Sequence, residues 1–184
     1  MNRRNSLVML GLAALVAGAA ALVYAEDGKG QGLAPEVQYD FTALPAPVQL
    51  MAERIADAAQ SGEIETMRPV FESNELKPMV AGDYVEDPIA FWKKQSADGS
   101  GRDVLAAMLN ALASGYVKVG SGLDEMYVWP YFAKTDLTKL TPQQEVELYR
   151  IVPAGEAEAM KKSGKYTGYS LGISASGVWH YFLR

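Results

Sequence analysis

Gly168-Tyr169-Ser170-Leu171-Gly172 has the G-x-S-x-G form of a nucleophile elbow, in which glycines permit a strained strand-to-helix turn that exposes a serine hydroxyl. Its surroundings do not match that form. Thr167, Tyr169, Leu171 and Ile173 alternate with small residues as a strand does, and no Asp or Glu follows to complete a triad in hydrolase order. The better reading is a strand with one nearly bare face that lets another element approach closely. His180 is the only histidine and cysteine is absent, which excludes thiol nucleophiles and metal sites built from His and Cys. Strand alternation places Trp179, Tyr181 and Leu183 on one face and Val178, His180 and Phe182 on the other. The imidazole then has apolar neighbours, as expected for a hydrogen-bonded structural residue.

Val128-Trp129-Pro130-Tyr131-Phe132 and Val178-Trp179-His180-Tyr181-Phe182 share the pattern V-W-x-Y-F. Two readings follow. Tyr127, Trp129, Tyr131, Trp179 and Tyr181 could line a cleft and offer flat amphipathic faces to a sugar or an aromatic ligand. Alternatively, they are two neighbouring strands that fill one core with aromatic pairs. Carboxylates cluster at Asp83, Glu86 and Asp87, and Asp124 and Glu125 stand beside the first aromatic strand. Such a pair near aromatic rings is what glycoside cleavage needs, provided that the two carboxyl groups face each other at roughly 5 to 10 Å. The run Asp98-Gly99-Ser100-Gly101-Arg102-Asp103 lacks the ligand order and distal Glu of a calcium loop and reads as a turn. No cofactor motif is present.

Helical periodicity and turn signals place these residues on elements. Pro47 opens a helix whose stripe is Val48, Met51, Ala52, Ile55 and Ala59, ended at Gly62. Ile64, Met67 and Phe71 suggest a short helix that Pro69 kinks or restarts. Asp87-Pro88 is an N-cap followed by a proline suited to the first turn, and Leu105, Met108, Leu109 and Leu112 form the strongest apolar stripe, closed by Gly115. Tyr116 to Val119 and Met126 to Phe132 read as strands, the second demoted or ended early by Pro130. Thr141-Pro142-Gln143-Gln144 has the form of a capping box, and a further helix over about 154–163 ends at Gly164. A hairpin with its turn at Ser174 to Gly177 closes the chain. This order predicts an α+β fold, with N-terminal helices on one face of a small antiparallel sheet that is interrupted by a helical pair and ends in a C-terminal hairpin.

Residues 1–25 read as an export signal: Arg3 and Arg4, an apolar run over residues 7–23, and Val23-Tyr24-Ala25 as a cleavage site. Cleavage after Ala25 gives a periplasmic or secreted chain; an uncleaved run would anchor it at the inner membrane. Residues 26–46 follow as a Gly- and Pro-containing linker, with Val37, Tyr39 and Phe41 alternating as a short edge strand would. Residues 47–184 form one domain. The chain carries 17 basic and 22 acidic residues, for a net charge of −5, and loss of Arg3 and Arg4 deepens that excess. No basic footprint for nucleic acid or anionic lipid is present, so membrane contact is expected only through an uncleaved N-terminal segment. With no cysteine there is no disulfide and no lipidated-cysteine anchor, and the core must carry the stability.

Four stretches carry a family likeness: Asp87 to Lys94, Tyr127 to Ala133, Leu140-Thr141-Pro142 through Glu147 to Arg150, and Gly177 to Phe182. They resemble a family of exported alphaproteobacterial proteins over most of residues 45–184. That resemblance implies a periplasmic setting and supplies no assigned activity or catalytic residues. The order of helices then sheet, ending in a G-x-W strand, is also loosely similar to cone-shaped NTF2-like domains. Without a complete catalytic constellation, the sequence points to a non-catalytic domain that binds a small molecule, a glycan or a periplasmic protein. The alternative is a carboxylate-dependent hydrolase of envelope glycans with Asp124 or Glu125 as the acid.

Overall fold

Val37 and Gln38 form the short edge strand that their alternation suggests, β1 (Val37–Gln38), in a computed structural model that describes residues 35–184. Residues 1–34, which include the stretch read as an export signal and the start of the one read as a linker, lie outside the described residues. Helix α1 (Ala46–Gln60) has proline in its first turn and buries Val48, Met51, Ala52, Ile55, Ala58 and Ala59. A turn of 3-10 helix at Ile64–Thr66 leads into α2 (Met67–Glu72), so Pro69 sits in the first helical turn, where its missing N–H costs nothing. Asp87 caps α3 (Pro88–Gln95) by accepting from the amides of Ile89 and Ala90 at 3.0 and 3.1 Å. Helix α4 (Arg102–Leu112) buries Val104, Leu105, Met108 and Ala111, with Leu109 and Leu112 at the margin.

Strands β2 (Tyr116–Val119) and β3 (Met126–Trp129) follow, the latter ended by Pro130. Next come α5 (Pro142–Ile151), opened by the complete capping box of Thr141 and Gln144, and α6 (Ala154–Ser163), closed by Gly164 in the left-handed conformation. The hairpin is β4 (Ser170–Ser174) and β5 (Trp179–Leu183). All five strands pair in sequence order, each antiparallel to its neighbour, as an open sheet. The fold is α+β.

The sheet is covered on both faces rather than one. Tyr116, Tyr127, Trp129, Leu171, Ile173, Trp179 and Phe182 pack under α1 to α4. Val117 and Val128 point the other way, into a second core with Leu148, Val152, Ala157 and Met160 of the α5–α6 pair. The physical reason is that β3 is apolar in both parities of its alternation and β2 adds Tyr116 to one face and Val117 and Val119 to the other, so both faces need a cover. The inserted helical pair is the second cover.

Alternation also fails along β5. Ile173 pairs with Trp179 and Gly172 with Tyr181, which leaves His180 as an extra residue in a bulge. Trp179 and Phe182 therefore share the α1–α4 face, while Tyr181 crosses to the other face and lies over Gly172. His180 is half-buried, and its side chain makes no hydrogen bond among the described residues; its backbone carbonyl accepts from the Met79 amide at 2.9 Å.

The outer edge of β5 is closed by a strap between α2 and α3. The Asn74 carboxamide accepts from the Trp179 amide at 2.9 Å and donates to the Trp179 carbonyl at 2.8 Å, as a neighbouring peptide would. Met79 adds a parallel bridge to Tyr181. An edge strand is thus blunted without another strand. Among the described residues, no helix is long and apolar enough to cross a membrane.

Candidate functional site

The residues singled out by their chemistry do not converge. Trp129, Tyr131 and Trp179 are fully buried, Tyr127 is 7% exposed, and Tyr181 is half-buried over Gly172. Their rings face one another and the core: Trp179 stacks on Phe71 at 5.3 Å, Trp92 meets Phe182 edge-on at 6.0 Å, and Trp129 lies 5.1 Å from Tyr116. The two V-W-x-Y-F strands are not neighbours. They flank β4, whose Gly172 opposes Val128 on one side and Tyr181 on the other. Ser170 opens a strand, with no helix behind it, so the elbow geometry is absent.

Asp124 is exposed in a 3-10 turn, and Glu125 accepts from the Tyr127 hydroxyl at 2.9 Å and pairs with Lys118 at 3.4 Å. Burial and that bond push the Tyr127 phenol up to about 12. The loop at Asp98 is a turn closed by its own side chains, with Asp98 accepting from the Ser100 amide at 2.8 Å. Among the described residues no group of three or more His, Cys, Asp or Glu could hold a metal ion.

A cleft opens at the other end of the strands, where β4 begins and β5 ends. Its volume is about 410 Å³, and it lies between α4 and the junction of α5 and α6. Ala106, Ala107 and Ala111 of α4 form one wall, because a helix that buries Leu105 and Met108 turns these small residues toward the opening. Ile151, Val152 and Pro153, the break between α5 and α6, form the other. Tyr166, Gly168 and Tyr169 close the floor, and Gln95, Asp103, Asn110, Glu156 and Arg184 supply polar groups.

Three charged groups in this cleft, Arg184, Glu156 and Asp103, are engaged by neighbours within the fold. Arg184 pairs with Glu156 at 2.6 Å, and its guanidinium stands 6.0 Å from the Tyr169 ring, which also stacks on Phe182 at 4.7 Å. Burial pushes the Tyr169 phenol up, so it stays protonated at neutral pH. Desolvation would raise the Asp103 carboxyl, but hydrogen bonds from the Ser96 hydroxyl and the amides of Ala97 and Val104 outweigh it and hold the group below the usual carboxylate range.

A second opening of about 190 Å³ adjoins the first, and Asn110 and Ile151 line both. Its walls include Tyr39, Ser114, Glu147 and Arg150. Glu147 accepts from the hydroxyls of Tyr39 and Tyr131 at 3.0 and 2.9 Å. Burial, then the bond to Glu147, raises both phenols above their ordinary value.

Sequence reasoning did not find this cleft. Its wall of alanines with one asparagine reads as an ordinary helix face, and Tyr169 and Arg184 carry no motif. Comparison of the chain with protein-family models, curated proteins and solved structures finds no match. The likeness to exported alphaproteobacterial proteins and to NTF2-like domains therefore rests on the sequence stretches alone.

Proposed function

We propose that this is an exported, periplasmic, non-catalytic binding domain whose ligand sits in the cleft between α4 and the α5–α6 junction. The observation that carries the reading is the cleft itself: a concave site of about 410 Å³ in which Ala106, Ala107, Ile151, Val152 and Pro153 are interspersed with the polar groups of Gln95, Asp103, Asn110, Glu156 and Arg184. A concave opening onto which several polar groups converge is where a small ligand is first sought. The same site holds no nucleophile activated by a base, since Asp103 and Glu156 are both engaged by internal partners.

The test uses the secreted chain, with its N-terminus checked by intact mass. Cleavage after Ala25 gives a protein beginning at Glu26 in the periplasmic fraction, and a full-length species in the membrane pellet would instead establish the anchored form. Thermal-shift screening against small polar compounds and peptides should yield ligands that raise Tm. At a hundredfold excess over Kd the stabilisation is about 2.7 kcal/mol. Ala106 is exposed and lines the cleft, so Ala106→Trp should fill the site, leave the unliganded Tm in place and abolish the shift. A shift that survives Ala106→Trp would move the binding site elsewhere.

A further inference from the structure

Leu76, Met79 and Tyr84 are 56, 51 and 82% exposed, so three of the eight large apolar side chains exposed among the described residues fall within nine positions of the strap between α2 and α3. Single exposed apolar residues are ordinary, whereas a group of them marks a contact surface. Met79 and Tyr84 border a hollow of about 230 Å³. One arm of it is Pro78, Met79 and Val80, and the other is Tyr84 and Val85.

The fold holds this hollow in shape. The Met79 amide donates to the His180 carbonyl at 2.9 Å and the Met79 carbonyl accepts from the Phe182 amide at 2.8 Å, which fixes the first arm to β5. Lys77 ties the second arm to it: its ammonium donates to the Glu86 carbonyl at 2.7 Å and stands 5.5 Å from the centre of the Tyr84 ring. Pro78 and Val80 are buried, so the first arm is apolar and fixed before anything binds. A preformed surface spares a partner the cost of ordering it.

Size and charge choose the occupant. Small-molecule sites usually run from roughly 300 to 1,000 Å³, and this smaller hollow suits one side chain of a larger partner. Its surroundings are acidic: residues 72–86 carry Glu72, Glu75, Asp83 and Glu86 against Lys77, whose ammonium is already held. A second copy of this chain would bring the same acidic strap and a net charge of −5, and an anionic lipid or a nucleic acid is repelled likewise. A basic partner is attracted.

We propose that the strap is a docking surface for a partner protein that inserts one leucine-sized apolar side chain between Met79 and Tyr84, with lysine or arginine on either side of it facing Asp83 and Glu86. This surface is independent of the cleft beside α4. The apolar side chain supplies the affinity, and the flanking charges supply the rate and the choice of partner.

Amide chemical shifts of the secreted chain, titrated with acetyl-Lys-Lys-Leu-Lys-Lys-amide, test this. The shifts should concentrate on residues 76–86. Replacing the peptide's leucine by serine should weaken binding at least about tenfold, and replacing its lysines by glutamate should abolish it. Tyr84→Ser should weaken the leucine peptide by a similar factor without moving Tm, because that ring is exposed. Asp83→Asn combined with Glu86→Gln should weaken it and flatten its dependence on salt. Ala106→Trp should leave it unchanged. No binding, equal binding of the leucine and serine peptides, or binding that Tyr84→Ser does not weaken overturns the proposal. Loss of binding in Ala106→Trp overturns it too, by placing the peptide in the cleft.

Discussion

Gly172 sits at the centre of β4 with no room for a side chain. A Cβ there would collide with the ring of Tyr181 and lie 2.7 Å from the Met126 sulfur, so both neighbouring strands close over this position. Gly172→Val is therefore expected to lower stability by about 1–3 kcal/mol, seen as a lower denaturant midpoint at unchanged slope. An unchanged midpoint would mean that Tyr181 swings away and that the contact contributes little. The bare face was legible in the alternation of Gly168, Ser170 and Gly172, and so was the source of its cover in an aromatic strand. Which faces those aromatics take was not. Trp129 and Trp179 would have the same neighbours in sequence whether they lined a cleft or a core, because burial depends on what packs above them.

Among the elements, the strap at 73–80 replaces a sixth strand. Asn74 satisfies both the amide and the carbonyl of Trp179, and Met79 takes the next pairing positions along β5. Asn74→Ala should cost about 1–3 kcal/mol, because two strand groups lose their partners. It should also make the chain self-associate as its concentration rises, since an uncovered edge recruits another edge. Light scattering across a concentration series and a denaturant titration read the two effects; a monomer with an unchanged midpoint would show that the strap is dispensable. Element ends were legible where a side chain does the capping locally, at Asp87, Thr141 with Gln144, and Gly164. The β5 bulge was not, because the register is set by Gly172 and Ile173 on the partner strand and not by anything within 178–183.

For the molecule as a whole, both cores end in buried phenols: Tyr127 on the α1–α4 face and Tyr131 on the α5–α6 face. Each is held protonated, first by burial and then by donation to a glutamate, and Tyr127 is raised from 10.0 to about 12. The unfolded chain loses these protons at about pH 10, whereas the folded chain keeps them beyond it. The stabilisation is thus complete below pH 10 and is lost as the pH rises through the folded values. We expect a denaturant midpoint independent of these groups up to pH 10 and falling from there toward pH 12. Tyr127→Phe should make that fall shallower by about 2–3 kcal/mol over the window. A curve identical to that of the unaltered chain would mean that Tyr127 ionises without cost. With no cysteine in the chain, the same curves should be insensitive to reductant.

By itself the sequence determined the α+β class, the helices and strands with their caps, and the apolar stripes, because each depends on residues a few positions apart. It also placed the hairpin and the packing at its glycines. Only the tertiary structure decided that α5 and α6 cover the second face of the sheet, that a bulge turns Tyr181 away from Trp179, and that the aromatic strands are core. The cleft was decided there too, since its walls come from α4, the α5–α6 break, the start of β4 and Arg184. Such a site has no local signature, because its concavity exists only once distant elements have packed against one another.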